Sequence, residues 1–392
     1  ALASLASVLT QPELDFYDPN GLRPAQQQLS ERWRPPNKDI GILEEFTSGY
    51  ELSPTNPVNL VASELQRPVR SKTSTELTVA SSNVLFLVND QSNYPTQLTK
   101  VVNYLANSLD FPDVIALQEL GGQAELEDLI FRLRQANPER GDYRGFVGSG
   151  PGSIHCAFLV KRYLSNPVFL ELGTSELLSS GGILHDRPPL LLRLRLPQDP
   201  QTELQVLNLH LRSLNGIETE AFVRRKRYEQ SLSVARMVEN LRSENLIVLG
   251  DLNAFEFSDG YVDVVNQIAG TPSLGALSPV LPIVNPPLLQ VAQRLAAAER
   301  YSFVFNGSAQ QLDHCLANNL TGLTINELAF ARGNADAAVN YGSVPLVELR
   351  AADHDAFVLY LGIDLLSSTV ASPEANGGRK AKFTVPKSRS AR

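Results

Sequence analysis

Short apolar runs that end at, or follow, a polar side chain recur along this chain, and they constrain its fold more than any other feature. The polar residues at these points are Asn83, Glu119, His210, Asp251, Asn253, Asp313, Asp353 and His354. Runs of this length and composition are typical of buried strands. Strands that deliver such side chains to one edge of a sheet would form a site for a hard cation and for phosphate chemistry.

The composition fits an ordinary globular protein and limits its partners. Apolar residues make up 43% and charged residues 19% of the 392 residues, which excludes extensive disorder. No apolar run reaches the roughly 18 residues of a membrane span, so we expect no stable membrane insertion. The formal net charge is −8, so affinity for nucleic acid would have to come from a local basic groove or from bound cations.

Composition divides the chain into three segments. Residues 1–75 contain eight prolines and no persistent periodicity, which predicts an N-terminal arm or the remnant of a preceding module. Residues 76–366 alternate strand and helix patterns and form the predicted main domain. Residues 367–392 are basic and rich in Ser and Gly, which predicts a disordered tail.

The main domain shows both strand and helix periodicity. Helical spacing occurs at residues 98–109, 125–133, 234–241 and 288–295. Strands are predicted at residues 77–86, 113–117, 155–160, 189–196, 204–211, 246–249, 301–305, 311–317 and 356–361. Many strands interrupted by single helices indicate an α/β protein in which sheets pack together and helices lie outside.

Two cysteines are too few for a disulfide framework. Cys156 and Cys315 both lie inside apolar runs. We therefore expect two buried free thiols. A single bridge between them stays open, because the sequence does not give their separation.

Each polar motif has an ordinary structural explanation beside the functional one. Glu119 can begin a helix or bind a cation at the sheet edge. Asp251 and Asn253 can form a turn, or they can point the same way from an extended chain and orient a ligand. His210 can be a core histidine with satisfied hydrogen bonds. Arg187 can be a surface arginine or can contact a phosphate.

A histidine between two acids suggests acid–base chemistry. His354 lies between Asp353 and Asp355, and Asp313 on another predicted strand could orient it. The alternative is a solvated entrance to a strand. The basic run Arg224–Arg227 opens a predicted helix, where it is either solvated or follows a polyanion.

The motifs, taken in this order, resemble the endonuclease/exonuclease/phosphatase superfamily. The matching stretches are Asn83, Gln118-Glu119, Asn208-Leu-His210-Leu, Gly250-Asp251-Leu-Asn253, Leu312-Asp313-His314 and Asp353-His354-Asp355. Stretches similar to its bacterial, often secreted, nuclease-like branch are 77–85, 301–305, 311–314 and 334–336. The resemblance implies that residues 76–366 are the catalytic domain, a four-layer αββα sandwich of two packed mixed β-sheets with outer helices.

The resemblance also implies a metal site. Asn83, Glu119 and Asp353 would hold or flank a divalent cation, either Mg²⁺ or Mn²⁺, with Ca²⁺ as a further candidate. Two departures from the superfamily pattern, Ser82 where Phe is usual and His155 where a basic residue often stands, do not touch this set.

The remaining matched residues would act on the substrate. Asp251 and Asn253 would orient the attacking water and a phosphate oxygen. His354, paired with Asp313, would be the base or the charge stabiliser. His210 would bind a phosphate oxygen, and Arg187 stands where some members use Arg or Tyr against the phosphate.

The predicted activity is hydrolysis of a phosphodiester by an activated water, with nucleic acid as the substrate and DNA favoured over RNA. The alternatives are a phosphatase or a phospholipid diesterase (sphingomyelinase-like or inositol phosphatase-like) that uses the same site, since a fold fixes chemistry better than substrate. An inactive binding module is a third possibility, disfavoured because no position of the predicted site is substituted. The resemblance implies an extracellular or periplasmic location, and the sequence does not identify a protein partner.

Overall fold

A computed structural model describes residues 66–196, 199–273, 281–305, 307–345 and 347–363, and five short strands before residue 66. The strands are β1 (Leu14–Phe16), β2 (Glu31–Trp33), β3 (Gly41–Phe46), β4 (Gly49–Pro54), β5 (Leu60–Ala62), β6 (Glu76–Leu87), β7 (Val114–Leu120), β8 (Tyr143–Val147), β9 (His155–Lys161), β10 (Val168–Glu171), β11 (Leu190–Arg195), β12 (Glu203–His210), β13 (Asn245–Asp251), β14 (Leu289–Gln290), β15 (Phe303–Phe305), β16 (Ser308–Gln310), β17 (Asp313–Ala317), β18 (Leu323–Phe330) and β19 (Phe357–Ile363).

In the part of the chain that the structure describes, four α-helices and four shorter helical turns connect the strands of the main domain. The helices are α1 (Tyr94–Asn103), α2 (Gln123–Ala136), α3 (Ala221–Leu241) and α4 (Val264–Ala269). A π-helical turn covers Tyr104–Ser108, and 3₁₀ turns cover Val291–Arg294, Ala297–Glu299 and Val339–Ser343. No helix in the described part of the chain has both the length and the apolar character that a membrane span requires.

Two six-stranded mixed sheets form the main domain. The first has the order β18-β19-β6-β7-β9-β8, and the second has the order β10-β11-β12-β13-β17-β14. One pair in each sheet, β6 with β7 and β12 with β13, is parallel, and their other pairs are antiparallel. Smaller sheets join β1, β4 and β3, then β2 and β5, then β15 and β16.

Central strands of both sheets are apolar on both faces. In β7, Val114 and Ala116 lie in the core between the sheets, whereas Ile115 and Leu117 belong to the cluster that α1 and α2 cover. In β13 the alternate residues divide in the same way, and the outer ones pack beneath α3 and α4. A strand covered on both sides needs a continuous apolar run, which is the pattern seen in the sequence. The predicted four-layer sandwich is confirmed.

Most predicted elements are present, but the helix predicted at residues 288–295 is wrong. Its place is taken by the short strand β14 and a 3₁₀ turn. Leu289 and Gln290 pair with β17, and Val291 and Ala292 pack in the core between the sheets. Edge pairing with β17 satisfies backbone groups that a helix would have bonded internally, so tertiary context overrides the apolar spacing.

The segment boundaries predicted from composition stay largely untested. Residues 66–75 precede β6 and contact the main domain, for example through the ion pair of Lys72 with Asp113 at 2.5 Å. The predicted disordered tail, residues 367–392, lies outside the described residues. Cys156 and Cys315 are both buried and free, as predicted, so they are not bridged.

One end of the sandwich collects the strand ends that carry the polar motifs. β6, β7, β12 and β13 finish there, while β17 begins there because it runs antiparallel to β13. Asp251 is the register partner of both His210 and Asp313. Strand register therefore places these three residues side by side before any side chain is considered.

His185 gives the fold a testable pH dependence. Its Nε2–H donates to the Ser233 hydroxyl at 3.0 Å, which donates in turn to Glu176. Burial lowers the pKa of His185 from 6.5 to about 4, so the folded protein holds the ring neutral. The unfolded chain binds a proton below its pKa of about 6.5, so this part of the stability is present above that pH and is lost as the pH falls towards 4.

We expect His185→Gln, which does not titrate, to remove this dependence. The free energy of unfolding of the wild type, relative to that of the variant, should fall by about 3 kcal/mol between pH 7 and pH 4. Urea unfolding of both proteins at each pH measures the difference. A difference that is constant across this range would mean that His185 is not held neutral.

Candidate active site

Asp251 lies at the centre of the polar strand ends and is buried. Asn253 N donates to its Oδ1 at 2.8 Å, and the Asn253 and Asn83 side-chain amides each donate to its Oδ2 at 3.1 Å. Burial raises the pKa of Asp251, and the nearby carboxylates of Asp313 and Glu119 add to that effect. Three donated hydrogen bonds offset part of the cost of keeping this carboxylate away from water.

Gly250 explains why Asp251 can lie so close to the neighbouring strand. Its φ is +132°, and a Cβ there would lie 2.0 Å from the carbonyl oxygen of Leu209 on β12. Any other residue would push β12 and β13 apart. The Gly-Asp-Leu-Asn motif therefore depends on its glycine.

One side of Asp251 is lined by Glu119, Asn83 and His210. The Asn83 amide nitrogen donates to Glu119 Oε1 at 3.1 Å, while its oxygen accepts from Leu85 N at 3.0 Å, which fixes the orientation of the amide. Asn83 therefore flanks the two carboxylates and turns its oxygen away from them. His210 Nε2 lies 3.7 Å from Glu119 Oε1 and 3.6 Å from Asp251 Oδ2, beyond ordinary hydrogen-bond length.

A histidine–carboxylate pair lies on the other side of Asp251. His354 Nδ1 and Asp313 Oδ2 are 2.7 Å apart, and the Asp313 backbone N donates to the buried hydroxyl of Ser302 at 3.0 Å. Burial by itself would lower the pKa of His354, but the carboxylates of Asp313 and Asp251 raise it well above its usual value. The sequence predicted this pairing.

The two histidines differ in charge. Burial lowers the pKa of His210 well below its usual value, and the charges of Arg187 and His354 act in the same direction. The ring of His210 is therefore neutral. Its Nδ1 is buried with no hydrogen-bond partner among the described residues.

The other predicted site residues lie at the edge of this group. Asp353 is partly exposed, its Oδ1 is 4.0 Å from His354 Nε2, and that oxygen has no hydrogen-bond partner in the described structure. Arg187 is half-buried and donates to the carbonyl oxygens of His210 and Leu211 at 3.2 and 3.1 Å. The structure thus brings together all nine predicted site residues, although their roles stay predictions.

Two members of the motifs have structural contacts instead. Asp355 accepts from Arg332 Nη1 at 3.0 Å and from Asn334 N at 2.8 Å. His314 contacts the carbonyl oxygen of Ala254 through Nε2 at 2.7 Å. Both residues hold loops next to the site.

A buried polar network beneath the site was not assigned a role from the sequence. The Gln118 side chain donates to Asn208 Oδ1 at 2.7 Å, and Asn208 Nδ2 donates to the carbonyls of Leu117 and Ala157 at 3.0 Å each. These bonds join the two sheets directly below Glu119 and His210. The sequence signals are the presence of amide side chains inside apolar runs and the position of Gln118 and Asn208 within the motif stretches.

The basic run Arg224–Arg227 is only partly exposed to solvent, so it does not form the solvated basic surface that a groove for a polyanion would present. Lys226 and Arg227 are buried, and they pair with Asp186 at 2.6 Å and Asp259 at 2.9 Å. Arg227 Nη1 also donates to the carbonyl oxygen of Asn253 at 2.7 Å. Two of the four basic side chains in this run thus point inward from helix α3, where Arg227 holds the loop that carries Asn253.

The donor set fits a hard divalent cation. Within the described residues, Glu119, His210 and Asp251 bring one ligand atom each within 4.8 Å of one another, as do Asp251, Asp313 and His354. The first group is the better candidate, because Asp313 and His354 are already bonded to each other. Two carboxylates and a neutral imidazole are ligands that can hold a divalent metal ion.

A family model matches this chain over most of its main domain. The model describes the Endonuclease/Exonuclease/phosphatase family and matches residues 80–343. The chain belongs to this family. It is therefore a member of a family of phosphate-ester hydrolases. The matched residues include most of the strand ends that form its candidate site. Among curated proteins no match is found.

Solved structures of this family are similar to the chain at low identity. TDP2 of D. rerio, solved with a single-strand DNA product, is 18% identical with a TM-score of 0.49 over 74% of this chain and 99% of that one. The human Nocturnin catalytic domain with bound sulfate is 15% identical with a TM-score of 0.47 over 75% and 96%. A family protein from Bacteroides vulgatus is 12% identical with a TM-score of 0.47 over 74% and 100%.

The buried pair of Arg227 and Asp259 predicts a large effect of mutation on stability. We expect Arg227→Met to lower the free energy of unfolding by about 3–5 kcal/mol, because it leaves Asp259 buried without its partner. Arg225 is exposed on the same helix, so Arg225→Met should change stability by less than about 0.5 kcal/mol. Urea unfolding tests both, and equal effects would contradict a clamping role for Arg227.

Proposed function

We propose that this protein is a divalent-cation-dependent phosphodiesterase that cleaves nucleic acid, with DNA favoured over RNA. The observation that carries the proposal is that Asp251 belongs at once to a carboxylate–imidazole group suited to a cation and to a group that contains an oriented His–Asp pair. A cation site next to a positioned proton carrier suits hydrolysis of a phosphodiester, because the cation stabilises negative charge and the carrier transfers a proton.

Glu119 and Asp251 would hold the cation, with Asn83 fixing both carboxylates and Asp353 at the edge. The donor set favours Mg²⁺ or Mn²⁺ over softer metals. When bound, the cation would neutralise the negative charge that develops on the phosphate oxygens and on the leaving oxygen.

The protein side chains would supply orientation and proton handling. Asp313 accepts from His354 Nδ1, so His354 Nε2 is the ring nitrogen left to face the phosphate, as base or charge stabiliser. The Asn253 amide group, held against Asp251 and the Leu211 carbonyl, would orient the water and a phosphate oxygen. His210 would bind a phosphate oxygen, and Arg187 would contact the same phosphate.

The preference for nucleic acid is supported by the stretches that resemble the nuclease-like branch of the family. A phosphatase or phospholipid diesterase would use the same acids and the same histidine, so the chemistry alone does not choose between them. A purely binding role is less consistent with an intact set of acids around an oriented His–Asp pair.

A substrate panel tests the proposed function. Purified protein would be assayed on plasmid DNA, RNA, sphingomyelin and inositol phosphates, with Mg²⁺, Mn²⁺ or Ca²⁺ and with EDTA. We expect cleavage of DNA that EDTA abolishes and that Mg²⁺ or Mn²⁺ restores. Turnover of the lipid or the inositol phosphate without any cleavage of nucleic acid would contradict the proposal, and turnover of none would indicate a binding module.

Glu119→Gln tests the cation site itself. The substitution preserves shape but removes a ligand charge, so kcat/KM should fall by on the order of 100-fold or more and Mn²⁺ affinity should fall with it. Calorimetric titration with Mn²⁺ measures affinity without relying on activity. The control is Glu127→Gln on the exposed face of α2, which should match the wild type in both assays. Unchanged Mn²⁺ binding in Glu119→Gln would remove Glu119 from the cation site.

A further inference from the structure

Phe86 is an exposed aromatic residue attached directly to the candidate cation site. Its backbone N donates to Glu119 Oε2 at 3.0 Å, while its side chain is 41% exposed. The preceding residue, Leu85, is 37% exposed. An exposed apolar surface thus adjoins Glu119, a carboxylate that we place in the cation site.

The turn that carries Phe86 is strained and firmly held. Leu85 and Phe86 have φ values of +51° and +50°, a left-handed conformation that is unfavourable for residues with a Cβ. The Asn83 side-chain oxygen accepts from Leu85 N, and the buried Gln97 amide donates to the carbonyl oxygens of Val84, at 2.9 Å, and of Leu85. These bonds fix the backbone, and with it the position from which the ring projects.

The backbone conformation of this turn does not account for a leucine and a phenylalanine at these two positions. Glycine at either position would form it without strain. Single exposed apolar residues are common on protein surfaces and need no explanation. Here the exposed ring is kept at a position that glycine would suit better, and it adjoins a catalytic carboxylate, so we expect the ring to contact the substrate.

We infer that Phe86 is a stacking platform for a nucleobase next to the scissile phosphate. This rests on the proposed function, because a phosphodiester held at Glu119 and Asp251 would place its nucleosides beside the exposed residues that border Glu119, and Phe86 is one of them. Every base has a flat face that stacks on an aromatic ring, so such a platform strengthens binding without selecting sequence. Phe86 would therefore favour strands with bases over strands without them.

The test removes the ring from the protein and the bases from the substrate, alone and together. Wild type and Phe86→Ala would be assayed on a labelled single-stranded oligodeoxynucleotide and on a strand of equal length in which every base is replaced by hydrogen. We expect Phe86→Ala to lower kcat/KM on the normal strand by about 10- to 100-fold, which is the range that one stacked base provides. On the abasic strand the loss should be less than about threefold, because the interaction is already absent.

Further variants separate stacking from the structure of the turn. Phe86→Tyr retains a flat ring and should keep most of the activity, whereas Phe86→Leu retains apolar bulk and should behave like Phe86→Ala. Phe131→Ala removes a ring that is 56% exposed on α2, and it should change neither rate. Thermal unfolding of each variant shows whether the fold is retained.

The outcomes distinguish this inference from the proposed function. Equal losses on the normal and abasic strands, or no loss on either, would overturn stacking by Phe86 and leave the nuclease proposal intact. Normal activity of Phe86→Leu on the normal strand would also overturn it. If the wild type cleaves neither strand but hydrolyses a phospholipid, the proposed function and this inference both fail.

Discussion

The burial of the Asp251 carboxylate is the constraint on which the rest of the candidate site depends. A carboxyl group that is 1% exposed needs compensating donors or charges in order to ionise, because the transfer of its charge from water is costly. Asn83 and Asn253 donate to it directly, and His354, held by Asp313, lies on its other side. A cation at the Glu119 side would complete this compensation. The other polar side chains of the site therefore surround one buried carboxyl group at the end of β13.

Backbone strain is concentrated where these groups meet. Among the described residues, eight positions other than glycine have positive φ, and four of them, Leu85, Phe86, Glu119 and Asn253, lie at the site. Each such conformation costs on the order of 1–3 kcal/mol and persists only when its surroundings hold it in place. Here the holding bonds come from Gln97 at the first turn and from Arg227 at the Asn253 loop. The rigid sandwich therefore supports a site in which the side-chain directions are fixed in advance.

Two sets of buried polar contacts connect the candidate site to the rest of the fold. The Gln118–Asn208 bonds join the sheets below the site, and the Arg227–Asp259 pair ties α3 to the loop after β13. Buried polar groups of this kind are favourable only when their partners are present. The first fixes the two sheets relative to each other and the second fixes α3 relative to that loop, which apolar packing alone does with less directional specificity. This accounts for amide and charged side chains within otherwise apolar layers.

The sequence by itself determined the central strands, the helices that cover them and the identity of the polar residues at the strand ends, because doubly buried strands require continuous apolar runs. Local order along the chain also placed Asp251 and Asn253 together. Only the tertiary structure decided that Asn83 turns its amide nitrogen towards the acids and that Arg227 points inward. It also replaced the predicted helix at residues 288–295 with an edge strand. These outcomes depend on pairing between residues that are distant in sequence, and a local pattern of apolar residues carries no information about such partners.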